Sequence, residues 1–249
     1  MVVTPMRSLG IGTFGRLLCF LTCLLSAEIT LACGWWGDGE ERGVANAQLV
    51  GADGRPTRRG DPMESPARMV ELGNAFRTGV GAPRDLNLAL HWYRLAAERG
   101  HPGGQYNLAL AYELGLGVVR DETLAAHWYL QAARQHDVHA QHHLGRMLIE
   151  GRGVVRDEVQ GVAWLERAAR QGHDEVFLML AESYARGQGV AMDPGFAYAW
   201  CWLAETRGNA SAPPLCEELA AQLDGLRLQQ ARDLAAGLVG YRVGKEGRQ

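Results

Sequence analysis

The chain is predicted to be an all-α solenoid of four 36-residue helix-loop-helix repeats, closed by a C-terminal capping hairpin. Three observations predict it. First, single residue types recur at one interval: Leu72, Leu108, Leu144 and Leu180; Asp85, Asp121, Asp157 and Asp193; Trp92, Trp128, Trp164 and Trp200. Second, glycine pairs keep the same interval: Gly79 with Gly81, Gly115 with Gly117, Gly151 with Gly153, and Gly187 with Gly189. Third, the stretches between the punctuation carry apolar residues at helical spacing, such as Leu144, Met147 and Leu148. A period of 20 to 50 residues marks an array in which each unit buries its apolar face only by stacking on the next.

The elements follow in chain order. Residues 1–32 have the layout of an export signal: Arg7 and Arg16, a short apolar run from Leu17 to Ser26, then Thr30-Leu31-Ala32 before a cut. The run falls short of the roughly 20 residues that span a bilayer. Cys33 follows, the position at which a lipoprotein is acylated; such a signal prefers Leu three places ahead of the cysteine, and Leu31 stands two ahead. Two destinations stay open: a free periplasmic protein, or one held to a membrane by lipid on Cys33. Residues 33–66 are rich in Gly, Pro and charge without sustained apolar period and read as a tether. Ser65-Pro66 caps the first repeat helix.

Repeats occupy 68–103, 104–139, 140–175 and 176–211, together the array 67–211. In the third, helix A runs from about Ala140 to Glu150, and Gly151-Arg152-Gly153 breaks it. Asp157 caps helix B, and Pro194 after Asp193 supports that assignment in the fourth unit. Gly100, Gly172 and Gly208 close helix B, with His136 in that place in the second unit. The tryptophans are expected in the core, Trp128 included. Residues 212–240 form the capping hairpin, and 241–249 a tail. Of five cysteines, only Cys201 and Cys216 remain in the folded body, one in the last repeat and one in the capping hairpin. Both fall in core columns, so they form either a disulfide or two inert buried thiols.

Composition bounds function. The 249 residues carry a net charge of −3 and no basic stripe, so nucleic acid is not an expected partner. Removal of residues 1–32 leaves the chain mildly acidic. The only membrane contact foreseen is through a lipid anchor at Cys33.

These residues resemble the Sel-1-like repeat family. The second unit has Leu108-Ala109, Tyr112, Gly115-Leu116-Gly117-Val118, Asp121, Ala125, Trp128-Tyr129 and Ala132-Ala133; the third has Leu144-Gly145, Gly151-Arg152-Gly153-Val154, Asp157, Trp164 and Ala168-Ala169. Departures are local, such as Gly161 where the family usually has Ala. The resemblance implies a right-handed α/α superhelix, related to tetratricopeptide arrays, that holds protein partners. Bacterial relatives include envelope lipoproteins of polysaccharide export and periplasmic regulators of sensor kinases.

No nucleophile elbow or phosphate loop is present, and the recurring Asp residues are caps, since catalytic groups have no reason to repeat every 36 residues. His139 and His143 share a helix face in a cluster with His136 and His142. No carboxylate or thiol completes a set at a known ligand spacing, so neither metal nor cofactor is expected. The expected function is non-catalytic: an envelope scaffold that binds a protein or peptide along helix A. The positions not needed for the core are Glu71, Asn107, His143 and Met179, with Asn74, Arg146 and Glu182 beside them. The competing reading is an envelope enzyme acting on β-lactams or peptidoglycan. Family members described as β-lactam-binding or hydrolysing carry a Cys pair in each repeat, which this chain does not.

Overall fold

The computed structural model describes residues 65–238. The signal, Cys33, nearly all of the tether, the last two residues of the hairpin and the tail lie outside them. The described residues form ten α-helices: α1 Pro66–Thr78, α2 Leu86–Glu98, α3 Pro102–Leu114, α4 Glu122–Arg134, α5 Val138–Glu150, α6 Glu158–Arg170, α7 Phe177–Arg186, α8 Pro194–Thr206, α9 Ala212–Ala221 and α10 Gly225–Leu238. No strand occurs among them, and none of the helices is long and apolar enough to cross a membrane. The first eight pair as four antiparallel hairpins. Successive hairpins pack through α2 on α3, α4 on α5 and α6 on α7, while α9 and α10 both close over α8.

Each hairpin is built by the same local chemistry. The carboxylates of Asp85, Asp121, Asp157 and Asp193 accept backbone N–H groups at the starts of α2, α4, α6 and α8. These N–H groups have no partner within the helix, and such a cap contributes about 1 kcal/mol. Gly79, Gly115, Gly151 and Gly187 end the A helices in the left-handed region. The second glycine of the turn does something further. At Gly153 φ is +66°, and a Cβ there would stand 2.2 Å from the Glu122 carbonyl oxygen at the start of α4. Gly117 and Gly189 face Leu86 and Glu158 of the preceding unit in the same way. Gly81 differs from these three. Its backbone is left-handed too, with φ +80°, but it belongs to the first unit, and no repeat precedes that unit among the described residues. In the later units the glycine pair makes the turn and also seats it on the neighbouring unit.

Helix A starts two residues earlier than its apolar periodicity suggests. Asp137 accepts from the Ala140 N–H and caps α5, which begins at Val138 rather than Ala140. His101 plays that part for α3. His136 takes the left-handed conformation, with φ +65°, that glycines adopt after the other B helices.

The core is a column of buried leucines (Leu72, Leu108, Leu144, Leu180) against alanine pairs of the B helices. The tryptophan column divides. Trp92 and Trp200 are buried, whereas Trp128 and Trp164 are half-buried. This corrects the expectation of a buried Trp128. The residue after each tryptophan (Tyr93, Tyr129, Leu165, Cys201) is the one buried in every unit. Trp164 meets solvent under the Arg167 guanidinium, 4.3 Å from its ring centroid. Two buried glutamines link neighbouring units. Gln105 and Gln141 donate to the Ala97 and Ala133 carbonyls of the preceding unit and accept from Gln135 and Gln171 near the end of their own unit. Gly161, which departs from the family pattern, has its reason here: a Cβ would meet Ile149 Cγ1 at 2.6 Å and the Gly145 carbonyl at 2.8 Å.

Cys201 on α8 is joined to Cys216 on α9, with Cα atoms 5.5 Å apart. Closing a loop of 15 residues contributes about 3 kcal/mol and holds the capping hairpin to the last repeat.

Candidate functional site

The A helices present a polar row whose densest part lies between the second and third units. Its centre is Glu113, in the last turn of α3, a residue the column pattern gives no reason to select because Arg77, Ile149 and Ala185 stand at the equivalent places. Only 5% of its side chain is exposed. Tyr129 of α4 donates to Glu113 Oε2 at 2.7 Å, and His143 Nδ1 of α5 lies 3.1 Å from the same oxygen. Arg146 and Arg152 donate to Oε1 at 2.9 and 2.6 Å. The His143 ring stacks on Tyr129 with centroids 4.9 Å apart. Arg152 also reaches Glu122 and Glu150.

Burial pushes the Glu113 carboxyl up, but the hydrogen bonds from His143, Tyr129 and Arg152 outweigh it and hold the group well below the ordinary carboxylate range. Burial, with the neighbouring Glu113 carboxylate, pushes the Tyr129 hydroxyl up, so it stays a donor. A carboxylate whose folded pKa is depressed adds stability above its unfolded value and loses it as pH falls. Glu113→Gln is therefore expected to cost about 2–4 kcal/mol at pH 7. Below the ordinary glutamate value of 4.5, the gap to the parent protein should shrink by up to about 1.4 kcal/mol per pH unit. Urea unfolding of both proteins at several pH values checks this, and a gap that stays constant down to pH 3 contradicts it.

The expected partner residues are not one continuous set. His143 and Arg146 meet at Glu113. Asn74 accepts from Tyr93 Oη at 2.8 Å, and Asn107 donates to the Gly103 carbonyl of its own helix at 2.7 Å. Glu71 is exposed and pairs with Arg68. Glu182 lies 3.9 Å from Arg186 one turn on, and Met179 is half-buried against the C-terminal core. Arg146 and His143 are thus also structural, which the sequence pattern does not reveal.

The histidines divide as well. His139 and His143 share a face of α5, but neither approaches the other as a ligand pair. His142 instead meets His173, in the turn that leads from α6 to α7, with Nδ1 and Nε2 3.0 Å apart. Glu175 Oε2 lies 3.6 Å from each of these nitrogens. Burial, then the neighbouring imidazoles, pulls His142 down to about 3. Burial also lowers His173, against the pull of Glu175.

An open depression of about 790 Å³ lies at the turns of the third and fourth units, bordered by Arg156, Glu158, Val159 and Gly189. It brings together no acid–base pair or nucleophile.

Stacked α/α hairpins with a polar A-helix row define a solenoid of the interaction type. The chain belongs to the Sel1 repeat family, whose repeat matches residues 69–101, 102–137, 138–173 and 178–209. Sel1 repeat proteins are generally non-catalytic protein-interaction scaffolds. Among solved structures, the chain is similar to a Sel1 repeat protein from Oxalobacter formigenes, with 26% identity and a TM-score of 0.64 over 78% of this chain and 76% of that one. It is also similar to c5321, a protective antigen of uropathogenic Escherichia coli strains with an SLR fold: 27% identity and a TM-score of 0.64 over 78% of this chain and 45% of c5321. Comparison with curated proteins gives no significant match.

Proposed function

We propose that the protein is an exported scaffold of the cell envelope that holds an extended polar segment of a partner protein along its A helices. The observation that carries this reading is the row centred on Glu113. The buried carboxylate fixes Arg146 and Arg152, whose side chains are 32% and 30% exposed. Donors held in place before binding lose less entropy when a partner's carbonyls or carboxylates arrive. Asn107, Glu71 and Glu182 extend the row with groups of both kinds. Export is supported by the signal layout of residues 1–32, and the Cys201–Cys216 disulfide suits an oxidising compartment. The protein works either free in the periplasm or held to a membrane through Cys33.

Charge reversal at the two ends of the row tests the proposal. Glu71 and Glu182 make only surface pairs, so Glu71→Lys with Glu182→Lys should change stability by less than about 1 kcal/mol. The same double variant should lower recovery of partners captured by crosslinking in intact cells at least about fivefold, the equivalent of about 1 kcal/mol. Unchanged capture by a variant of unchanged melting temperature would count against the row as the binding surface.

A further inference from the structure

We propose that His142 Nδ1, His173 Nε2 and Glu175 Oε2 form a binding site for one divalent transition metal of the zinc class, placed where the turn leading into α7 meets α5. The site adjoins the Glu113 row, the His142 ring lying 5.4 Å from that of His143, but the proposal does not depend on the partner reading.

Three features carry it. The first is geometry. The three atoms stand 3.0, 3.6 and 3.6 Å apart. A point in their plane lies about 2.0 Å from all three, and a displacement of about 0.5–0.7 Å from the plane puts it at the 2.0–2.2 Å of zinc–nitrogen and zinc–oxygen bonds. The second is the behaviour of His173. It occupies the same position as His101 and Asp137, which both cap an A helix with their side chains. His173 makes no side-chain cap hydrogen bond, and the chain passes through a 3-10 turn, Asp174–Val176, before α7 begins uncapped. Its ring turns instead to His142 on α5. The third is Glu175. Its carboxylate lies within reach of both imidazole nitrogens yet beyond hydrogen-bond distance of either. A cation between the three would bond to all of them.

The donor set selects the metal. Two imidazoles and one carboxylate suit zinc and its neighbours, whereas magnesium and calcium prefer oxygen alone. Three protein ligands leave a fourth position of a tetrahedral ion for water. Such an ion would staple α5 to the turn that leads into α7. Sequence spacing does not show this set, because His142 and His173 are 31 residues apart and meet only when the turn after α6 folds back on α5.

The test is calorimetric titration of zinc into the full chain after dialysis against a chelator, with cobalt absorption as a second readout. The expected result is one zinc per chain and the visible bands of tetrahedral cobalt. Glu175 is 70% exposed, so Glu175→Gln leaves the fold intact. It should weaken zinc binding more than tenfold, since even the outer-shell partners of metal ligands are typically worth 10–100-fold. His91→Ala, at an exposed histidine of α2, should bind as the parent does. No 1:1 zinc binding by the parent chain, or equal binding by Glu175→Gln, would overturn the proposal.

Discussion

Trp200→Ala is expected to destabilise the protein by about 3–5 kcal/mol, and Trp128→Ala by clearly less. The two residues hold the same place in their units, so sequence alone ranks them equally. Burial separates them. Trp200 is 2% exposed, packed on Phe177 and Phe196 and set among the residues that seat α9 and α10. Its indole nitrogen is buried without a hydrogen-bond partner, so its contribution is packing rather than a polar contact. Deleting the ring leaves a cavity that rigid neighbours fill only in part. Trp128 is half-buried, so its truncation removes less packed surface and opens the gap to water. Denaturant unfolding of the two variants reads the difference; equal losses would show that the tryptophan column acts as one core element after all. Trp200→Phe keeps most of the packed ring and should cost less than half as much as Trp200→Ala.

Gly153→Ala should rival that loss, at about 3 kcal/mol or more. Two costs add at this position. An L side chain at positive φ costs roughly 1–2 kcal/mol. In addition, the new methyl would meet backbone, the Glu122 carbonyl at 2.2 Å, which yields only if the third unit moves away from the second. Gly172→Ala is the control. Its φ is +85°, but nothing lies within 4 Å of the site of the new methyl, so only the backbone term applies. Thermal melts of the pair separate local strain from loss of seating. Similar losses for both would mean that the turn does not bear on the preceding unit.

The repeat, its Asp caps, its glycine turns and the left-handed His136 were legible in the sequence because each is a local rule applied four times. The recurrence does not show that Gly117, Gly153 and Gly189 also stand against backbone of the preceding repeat, because that approach depends on how the hairpins stack. Local chemistry also explains a small error: apolar spacing placed the start of α5 at Ala140, while Asp137 reaches forward to cap it at Val138. What a repeat hides is departure from it. Glu113 breaks its column, so the repeat gives no reason to select it, although it organises His143 and Arg146. Those two looked like free surface because their partner lies 30 and 33 residues away in the chain. The histidine cluster was visible as composition. The pairing of His142 with His173 was not, since that contact depends on how the turn after α6 folds back on α5.

The most direct measurement of the central claim, that the A helices carry the partner, is photocrosslinking in intact cells from single positions on the two kinds of helix. Probes replacing Asn107 and Glu182 on A helices should form the same discrete adducts. Probes at the exposed B-helix positions Arg94 and Ala163 should form none. Adducts from the B-helix positions alone would contradict the account.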